Sequence, residues 1–264
     1  MTRKNNNKIL IDIKDLHLEY GTKYNSIYAL DEINLKIEKG EFLCLLGPSG
    51  CGKSSLVNII AGFIKPTKGS CLMEGKAING PDWHRGVVFQ SPTLYPWMSV
   101  RENVEFGPRM RGLPEHEIKE IKDHFLDQVK LTGFGEKNTF ELSGGMKQRV
   151  ALARVLANYP QVILMDEPLG ALDALTKVNM QILIRDIWKE NNSTIFLITH
   201  DIDEALKLAT RIVVMSKRPG KILKEFNVGF THDLFKNPKY TIHSDEYFEI
   251  KEEILEIINS QIEE

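Results

Sequence analysis

Hydrophobic and polar positions divide the chain into two kinds of strand and several amphipathic helices. Near the N-terminus the two alternate, as in half-buried antiparallel strands, over residues 9–13, 16–20 and 33–37. Continuous apolar runs, which predict parallel strands covered on both faces, lie at 41–46, 162–165, 194–198 and 211–215. Shorter strands are predicted at 70–73 and 86–90, and the three-to-four spacing predicts helices over 115–131, 146–157 and 247–262. The pattern indicates an α/β fold with an N-terminal antiparallel β-subdomain.

Composition narrows the class of protein. The chain has 264 residues, which suits one large α/β unit or one domain with an inserted subdomain. Its formal net charge of −2 gives no reason to expect a nucleic-acid partner. Residues 1–8 are polar, so we expect no secretory signal. The longest uncharged run, 86–100, contains two prolines and does not predict a membrane span. Any membrane association is therefore expected to go through another protein.

The three cysteines do not suggest a covalent or metal framework. Cys44, Cys51 and Cys71 are odd in number and include no C-x-x-C pair, so three reduced thiols are expected. Cys51 lies in a glycine-rich loop at the start of a helix, where it could be reactive, but a small space-filling role is favoured.

One glycine-rich segment joins an apolar strand to a helix and spells G-x-x-x-x-G-K-[ST]. Its residues are Gly47, Pro48, Ser49, Gly50, Cys51, Gly52, Lys53, Ser54 and Ser55. The glycines let the backbone curl so that several N–H groups face one phosphate chain, and the helix adds the positive end of its dipole. Lys53 can reach the terminal phosphates, and the Ser54 hydroxyl can hold Mg²⁺. The segment predicts binding of a nucleoside triphosphate.

Two adjacent carboxylates follow another buried strand. Asp166 and Glu167 come directly after the run 162–165, at the edge where parallel sheets place ligands. Asp166 can bind Mg²⁺ through its water shell, and Glu167 can act as the general base that polarises an attacking water. The pair predicts hydrolysis of the nucleotide.

A second candidate anion site opens the helix at 146–157. Ser143 is a good N-cap, and Gly144 and Gly145 leave bare N–H groups at the positive end of that helix. One bound nucleotide needs only one phosphate loop. The simplest explanation is that this surface closes on the nucleotide of another copy.

Together these motifs resemble the ATP-binding subunit of an ABC transporter. The segment 142–149, LSGGMKQR, matches the ABC signature motif, and the other motifs follow in family order over residues 9–225. The segments G-E-F, G-V-V-F-Q and P-W-x-S-V-x-E-N-V, with Gly170 before the D-loop, resemble the nitrate, sulfonate and taurine importer branch.

The resemblance implies roles for residues that would mean little alone. Tyr20 would stack on adenine, with Tyr28 as a weaker alternative. Gln90 would contact Mg²⁺ and the attacking water, and His200 would contact the γ-phosphate. Asp173, in the D-loop, would lie at a dimer interface.

The signature residues would complete the site from the other copy. The resemblance assigns this contact in trans to Ser143, Gly144, Gly145 and Gln148. Each ATP, with Mg²⁺, would then lie between the phosphate loop of one copy and the signature of its partner.

The implied architecture is a P-loop NTPase core with an inserted helical subdomain. Residues 1–91 and 159–225 would form the core with its β-subdomain, 92–158 the helical subdomain, and 226–264 a C-terminal extension. Implied partners are a second copy, integral-membrane permease subunits and, indirectly, a solute-binding protein. The chain would lie at the cytoplasmic face of the membrane and power uptake of a nitrate-, sulfonate- or taurine-like solute.

Several alternatives stay open. A soluble ABC-type ATPase not tied to transport is the second function, whereas the signature motif argues against a small-molecule kinase. The aromatic segment 93–98 could receive a membrane subunit or pack internally. The final helix could pack on its own domain or contact a partner. The sequence does not identify the solute.

Overall fold

The structure is a computed structural model that describes residues 8–22, 25–236 and 244–263. Residues 1–7, for which we expect no secretory signal, lie outside the described residues. The chain divides into two compact units, one formed by Met1–Pro81 with Ser193–Glu264 and the other by Asp82–Asn192. The finer division into core, helical subdomain and C-terminal extension remains a prediction.

An antiparallel sheet opens the first unit. Its strands, in spatial order, are β2 (Asn25–Glu38), β1 (Ile9–Thr22), β4 (Lys68–Met73) and β5 (Lys76–Ala77). The predicted strands 9–13 and 16–20 are one continuous strand, β1. Asp15 adopts a φ of 43°, and the register with β2 shifts between Ile13 and Leu16. This bulge lets both halves keep their apolar residues on the buried face.

A second set of strands in this unit carries three of the four apolar runs, 41–46, 194–198 and 211–215. It consists of β10 (Ile222–Asn227), β9 (Arg211–Met215), β3 (Phe42–Leu46) and β8 (Thr194–Ile198), with β3 parallel to both β9 and β8. Every residue of β3 and β8 is buried. Helix α1 (Lys53–Ala61) follows β3, and α6 (Ile202–Leu208) follows β8. The loops after β3 and β8 therefore emerge at the same edge.

The C-terminal segment packs on its own unit. Helices α7 (Phe230–Lys236) and α8 (Asp245–Glu263) both contact α6. Tyr247 and Ile254 of α8 are 5% and 0% exposed. The packing of α8 on its own domain, which was one of the two alternatives, is what the structure contains.

The second unit combines two parallel strands with helices. Its elements are β6 (Arg85–Val88), α2 (Val100–Met110), α3 (Glu115–Gln128), a 3₁₀ turn (Thr139–Glu141), α4 (Gly144–Leu156), β7 (Val162–Asp166) and α5 (Ala174–Asn191). Helix α4 packs on α2, α3 and β6. The hydrophobic pattern did not predict α2, which begins with a reciprocal capping box between Ser99 and Glu102.

Two further features concern the whole described chain. In the parts that the structure describes, no helix is both long and apolar enough to cross a membrane. All three cysteines are free thiols in buried positions.

Candidate functional site

The phosphate loop of the first unit depends on glycine. Gly50 and Gly52 have φ angles of +77° and +104°, in the left-handed region that favours glycine. A Cβ on Gly52 would also come within 2.8 Å of the Ala29 carbonyl oxygen. Gly52 is the N-cap of α1, so no side chain caps this helix, and its first turn contains no acid. The start of α1 therefore suits an anion.

Lys53 is directed into the loop. Its side chain is buried, and Nζ donates to the carbonyl oxygens of Gly47 at 2.7 Å and Pro48 at 2.9 Å. These contacts hold the ammonium among the loop atoms, while Ser49, Gly50 and Ser54 are exposed. The loop thus presents a fixed positive charge beside an exposed backbone.

Cys51 behaves as a small apolar residue in this loop. The side chain is 1% exposed, and its Sγ atom lies 3.0 Å from where a Cβ on Gly47 would be. Burial raises the pKa of the Cys51 thiol despite the nearby Lys53 ammonium. The thiol is therefore protonated near neutral pH, in keeping with the favoured space-filling role.

Tyr20 reaches the phosphate loop from the end of β1. Its hydroxyl donates to Ser55 Oγ at 3.1 Å, and the ring is 40% exposed. Tyr28 is also exposed, but it pairs with Glu19 in β1, whereas Tyr20 pairs with Ile27. Because neighbouring strand positions face opposite ways, Tyr28 lies on the other face of the hairpin from Tyr20.

His200 emerges beside the phosphate loop. Leu45 of β3 pairs with Ile198 of β8, and Gly47 and His200 each come two residues later. His200 is exposed, between Thr199 and Asp201. The Asp201 N–H donates to Thr199 Oγ1 at 3.1 Å, and Asp201 caps α6 by accepting from the Glu204 N–H at 3.0 Å. The histidine therefore sits on a tightly bonded turn.

The second unit brings together Gln90 and the acidic pair. Val88 of β6 pairs with Met165 of β7, and Gln90 and Glu167 each come two residues after this pair, at the same edge. A Cβ on Gly170 would lie 3.4 Å from Gln90 Nε2 and 3.8 Å from Glu167 Oε2, so both side chains border this glycine. Asp166 is the last residue of β7.

The backbone of Glu167 is strained. Its φ is 46°, in a region that residues with a Cβ seldom occupy. The turn is closed by the Gly170 N–H, which donates to the Glu167 carbonyl oxygen at 3.2 Å. Such strain concentrates at functional sites.

The signature residues fall into two groups. Ser143 and Gly144 are exposed at the start of α4, where Ser143 Oγ accepts from the Met146 N–H at 3.3 Å and the first turn contains no acid. Gly145 and Gln148 are buried. A Cβ on Gly145 would lie 2.5 Å from Thr176 Cγ2 of α5, so the glycine permits close helix packing.

Gln148 and Asp173 make contacts inside the second unit. Gln148 Nε2 donates to the carbonyl oxygen of Phe89, the residue before Gln90, at 3.0 Å. Asp173 is the N-cap of α5, and the hydrogen bond from Thr176 lowers the pKa of its carboxyl. Contacts of either residue with another copy remain predictions.

The sequence reasoning missed the role of Asn103. This fully buried side chain accepts from the Tyr95 N–H at 2.9 Å and donates to the carbonyl oxygens of Tyr95, Met98 and Ser99. It fixes the loop that carries Trp97, which is 74% exposed. The Ser99-x-x-Glu102 capping signal could have located the helix that carries Asn103, but not its bonds to the loop.

Comparison with known proteins decides the family. The family model described as ABC transporter matches residues 30–170. The chain is 51% identical over 247 residues to the taurine import ATP-binding protein TauB of Jannaschia sp. (strain CCS1), covering 90% of each chain. This chain is a member of the ABC transporter family. The resemblance found in the sequence is thereby confirmed.

One more sequence relative and one solved structure support the importer branch and the fold of this ABC cassette. The nitrate import ATP-binding protein NrtD of Synechocystis sp. (strain ATCC 27184 / PCC 6803 / Kazusa) is 44% identical, over 95% of this chain and 96% of that protein. The ATP-binding cassette MJ0796, solved as a dimer in a post-hydrolysis state with ADP and Pi, is 32% identical with a TM-score of 0.73. That match covers 83% of this chain and 99% of the solved one. The predicted ABC ATPase fold and the importer branch are confirmed.

Proposed function

We propose that this cassette is the ATP-hydrolysing subunit of an importer and works as a dimer with two shared ATP sites. The observation that carries the proposal is the pair of helix N-termini, α1 and α4, each free of acid in its first turn. Each suits a phosphate, and each lies in a different unit of the chain. Lys53 of one copy and Ser143–Gly145 of the other would enclose one ATP.

The family resemblance, together with the chemistry of the side chains, suggests roles for the remaining site residues. Glu167 would accept the proton of the attacking water, His200 would contact the γ-phosphate, and Gln90 would orient the water. The hydroxyl of Ser54, the amide of Gln90 and the carboxylate of Asp166 supply hard oxygen donors that fit Mg²⁺. Bound there, Mg²⁺ would neutralise charge on the phosphates.

This assignment agrees with how Mg²⁺ is usually held. Among the described residues, no three His, Cys, Asp or Glu side chains cluster as a metal site. Proteins commonly bind Mg²⁺ through one or two carboxylates, with substrate phosphates and water among the other ligands.

The adenine assignment gives a direct prediction. Tyr20→Ala should weaken ATP binding by about tenfold, because stacking of a base on an aromatic ring contributes about 1–3 kcal/mol. Tyr20→Phe keeps the ring and loses only the Ser55 hydrogen bond, so its affinity should change by less than about threefold. Isothermal titration calorimetry of the purified chain measures both.

Tyr28→Ala is the matched control, since this tyrosine lies on the opposite face of the hairpin. Its ATP affinity should equal that of the wild type. A loss of affinity in Tyr28→Ala, with Tyr20→Ala unchanged, would exchange the two assignments.

Membrane association would be peripheral, through permease subunits. The exposed Trp97, which lies on the loop fixed by Asn103, offers an aromatic contact for such a partner. Because the taurine-import relative is more similar than the nitrate-import relative, we propose a taurine-like sulfonate as the solute.

Reconstitution tests this transport function. The cassette, its permease and its solute-binding protein in liposomes should take up labelled taurine but not nitrate when ATP is supplied. Trp97→Ala should lower uptake at least about tenfold, as loss of a central aromatic contact does, without changing ATP affinity.

Trp83→Ala removes another exposed tryptophan of the same unit and should transport normally. Uptake of nitrate without uptake of taurine would show that nitrate, and not a taurine-like sulfonate, is the solute. Normal uptake by Trp97→Ala would remove the proposed docking contact.

A further inference from the structure

We propose that the C-terminal helix α8 is a positioning element for catalysis, which holds α6, and with it His200, through Asp203. The inference rests on the proposed role of His200 at the γ-phosphate. It assigns a function in turnover to Asp203, Tyr247 and Lys251, none of which belongs to the nucleotide-binding motifs.

Asp203 receives three hydrogen bonds from α8. The Tyr247 hydroxyl donates to Asp203 Oδ1 at 2.5 Å, and Lys251 Nζ donates to Oδ1 and Oδ2 at 2.8 and 2.9 Å. Asp203 lies in the first turn of α6, three residues after His200. The contact between the two helices is therefore made next to the histidine.

The contact joins a buried tyrosine to a partly exposed ion pair, in which the Asp203 side chain is 44% exposed and that of Lys251 31%. Tyr247 is 5% exposed, and its ring packs edge-on against Phe230 with centroids 5.3 Å apart. Burial opposes ionisation of Asp203, yet the bonds from Lys251 and Tyr247 leave the pKa of its carboxyl below the ordinary value. The carboxylate thus stays charged and keeps accepting all three hydrogen bonds at neutral pH.

Helix α6 depends on such contacts because it is short. It has only 7 residues, and a helix of that length has little stability of its own. Its far end is held by the fully buried Thr231, whose hydroxyl shares its one proton between the carbonyl oxygens of Lys207 and Ala209, both at 3.0 Å. The C-terminal segment therefore holds α6 at both ends.

A movement of α6 would be transmitted to His200 through a turn that is held by hydrogen bonds on both sides of the histidine. Asp201 is bonded to Thr199 before the histidine and to Glu204 after it. If α6 shifts, this turn must shift with it, and a catalytic group displaced by about 1 Å loses much of its effect. Loss of the Asp203 contacts should therefore lower turnover rather than ATP binding.

The test uses steady-state ATP hydrolysis by the full chain, assembled with its permease. Asp203→Asn should lower kcat about tenfold with little change in KM, and Lys251→Arg, which keeps the charge, should retain most of the activity. Glu253→Gln is the matched control. It breaks the ion pair from α8 to Lys224 on β10 and should leave kcat unchanged.

Combination with His200→Ala separates positioning from general destabilisation. If Asp203 acts through His200, Asp203→Asn should not lower kcat any further in the His200→Ala background. An equal loss in both backgrounds, accompanied by a lower Tm, would assign a structural role only and overturn the inference. Normal turnover by His200→Ala alone would instead overturn the proposed role of the histidine.

A second readout needs no turnover. The imidazole NMR signals of His200, assigned by comparison with His200→Ala, should move in Asp203→Asn and stay in place in Glu253→Gln. Unmoved signals in Asp203→Asn would overturn the inference.

Discussion

Glu167→Gln is expected to slow ATP hydrolysis by about 10²–10⁴-fold, the usual contribution of a general base. Glutamine keeps the size and shape of the side chain but cannot accept a proton from water. The strained backbone at Glu167, with its φ of 46°, holds the replaced side chain beside Gln90 and Gly170 as before. Release of phosphate under saturating ATP measures the rate.

The same variant should bind ATP with unchanged affinity and accumulate as an ATP-bound dimer. In size-exclusion chromatography with ATP and Mg²⁺, Glu167→Gln should elute at twice the monomer mass. The wild type should show a smaller fraction of protein in this dimer peak. Glu136→Gln, which alters an exposed carboxylate, is the control and should match the wild type. Near-normal hydrolysis by Glu167→Gln would show that another group is the base.

Lys53→Ala is expected to weaken ATP binding by about 10- to 100-fold. Hydrogen bonds to charged groups contribute about 1.5–3 kcal/mol, and the Lys53 ammonium is already held among the loop carbonyls. The variant loses this charge and also the contacts that shape the loop. Calorimetric titration with ATP measures the change.

Adenosine sharpens this test, because it carries the base without the phosphates. Its weak binding should be the same in Lys53→Ala and the wild type, whereas ATP binding should differ. Lys65→Ala, which removes an exposed lysine just beyond α1, should bind both ligands normally. Unchanged ATP affinity in Lys53→Ala would contradict the assignment of the phosphate loop.

The sequence predicts best where local pattern and chemistry coincide. The loop from Gly47 to Ser55 contains its own turn residues, its lysine and its helix start, so strand, loop and helix were found in place. It was also predictable that Gly47 lies near His200 and Gln90 near Glu167, because the loops that follow neighbouring parallel strands lie at the same edge of the sheet.

Contacts between distant segments were not predictable. Nothing near Asp203 indicates that Tyr247 and Lys251 bond to it, because two side chains 44 or 48 positions away meet only after folding. The burial of Gln148 was also not predictable, because nothing in the sequence indicates that this polar residue of the signature motif points inward. The bulge at Asp15 also escaped, because alternation resumes on the same face after it.

The burial of all three cysteines has a practical consequence for watching this protein work. Burial raises the pKa values of the Cys44 and Cys51 thiols, and Cys71 is also buried. Maleimide dyes should therefore react very slowly with the native chain. A single cysteine placed on the surface could then carry a fluorophore without removal of any natural residue. Energy transfer between two labelled copies would follow their approach and separation in real time through each round of ATP use.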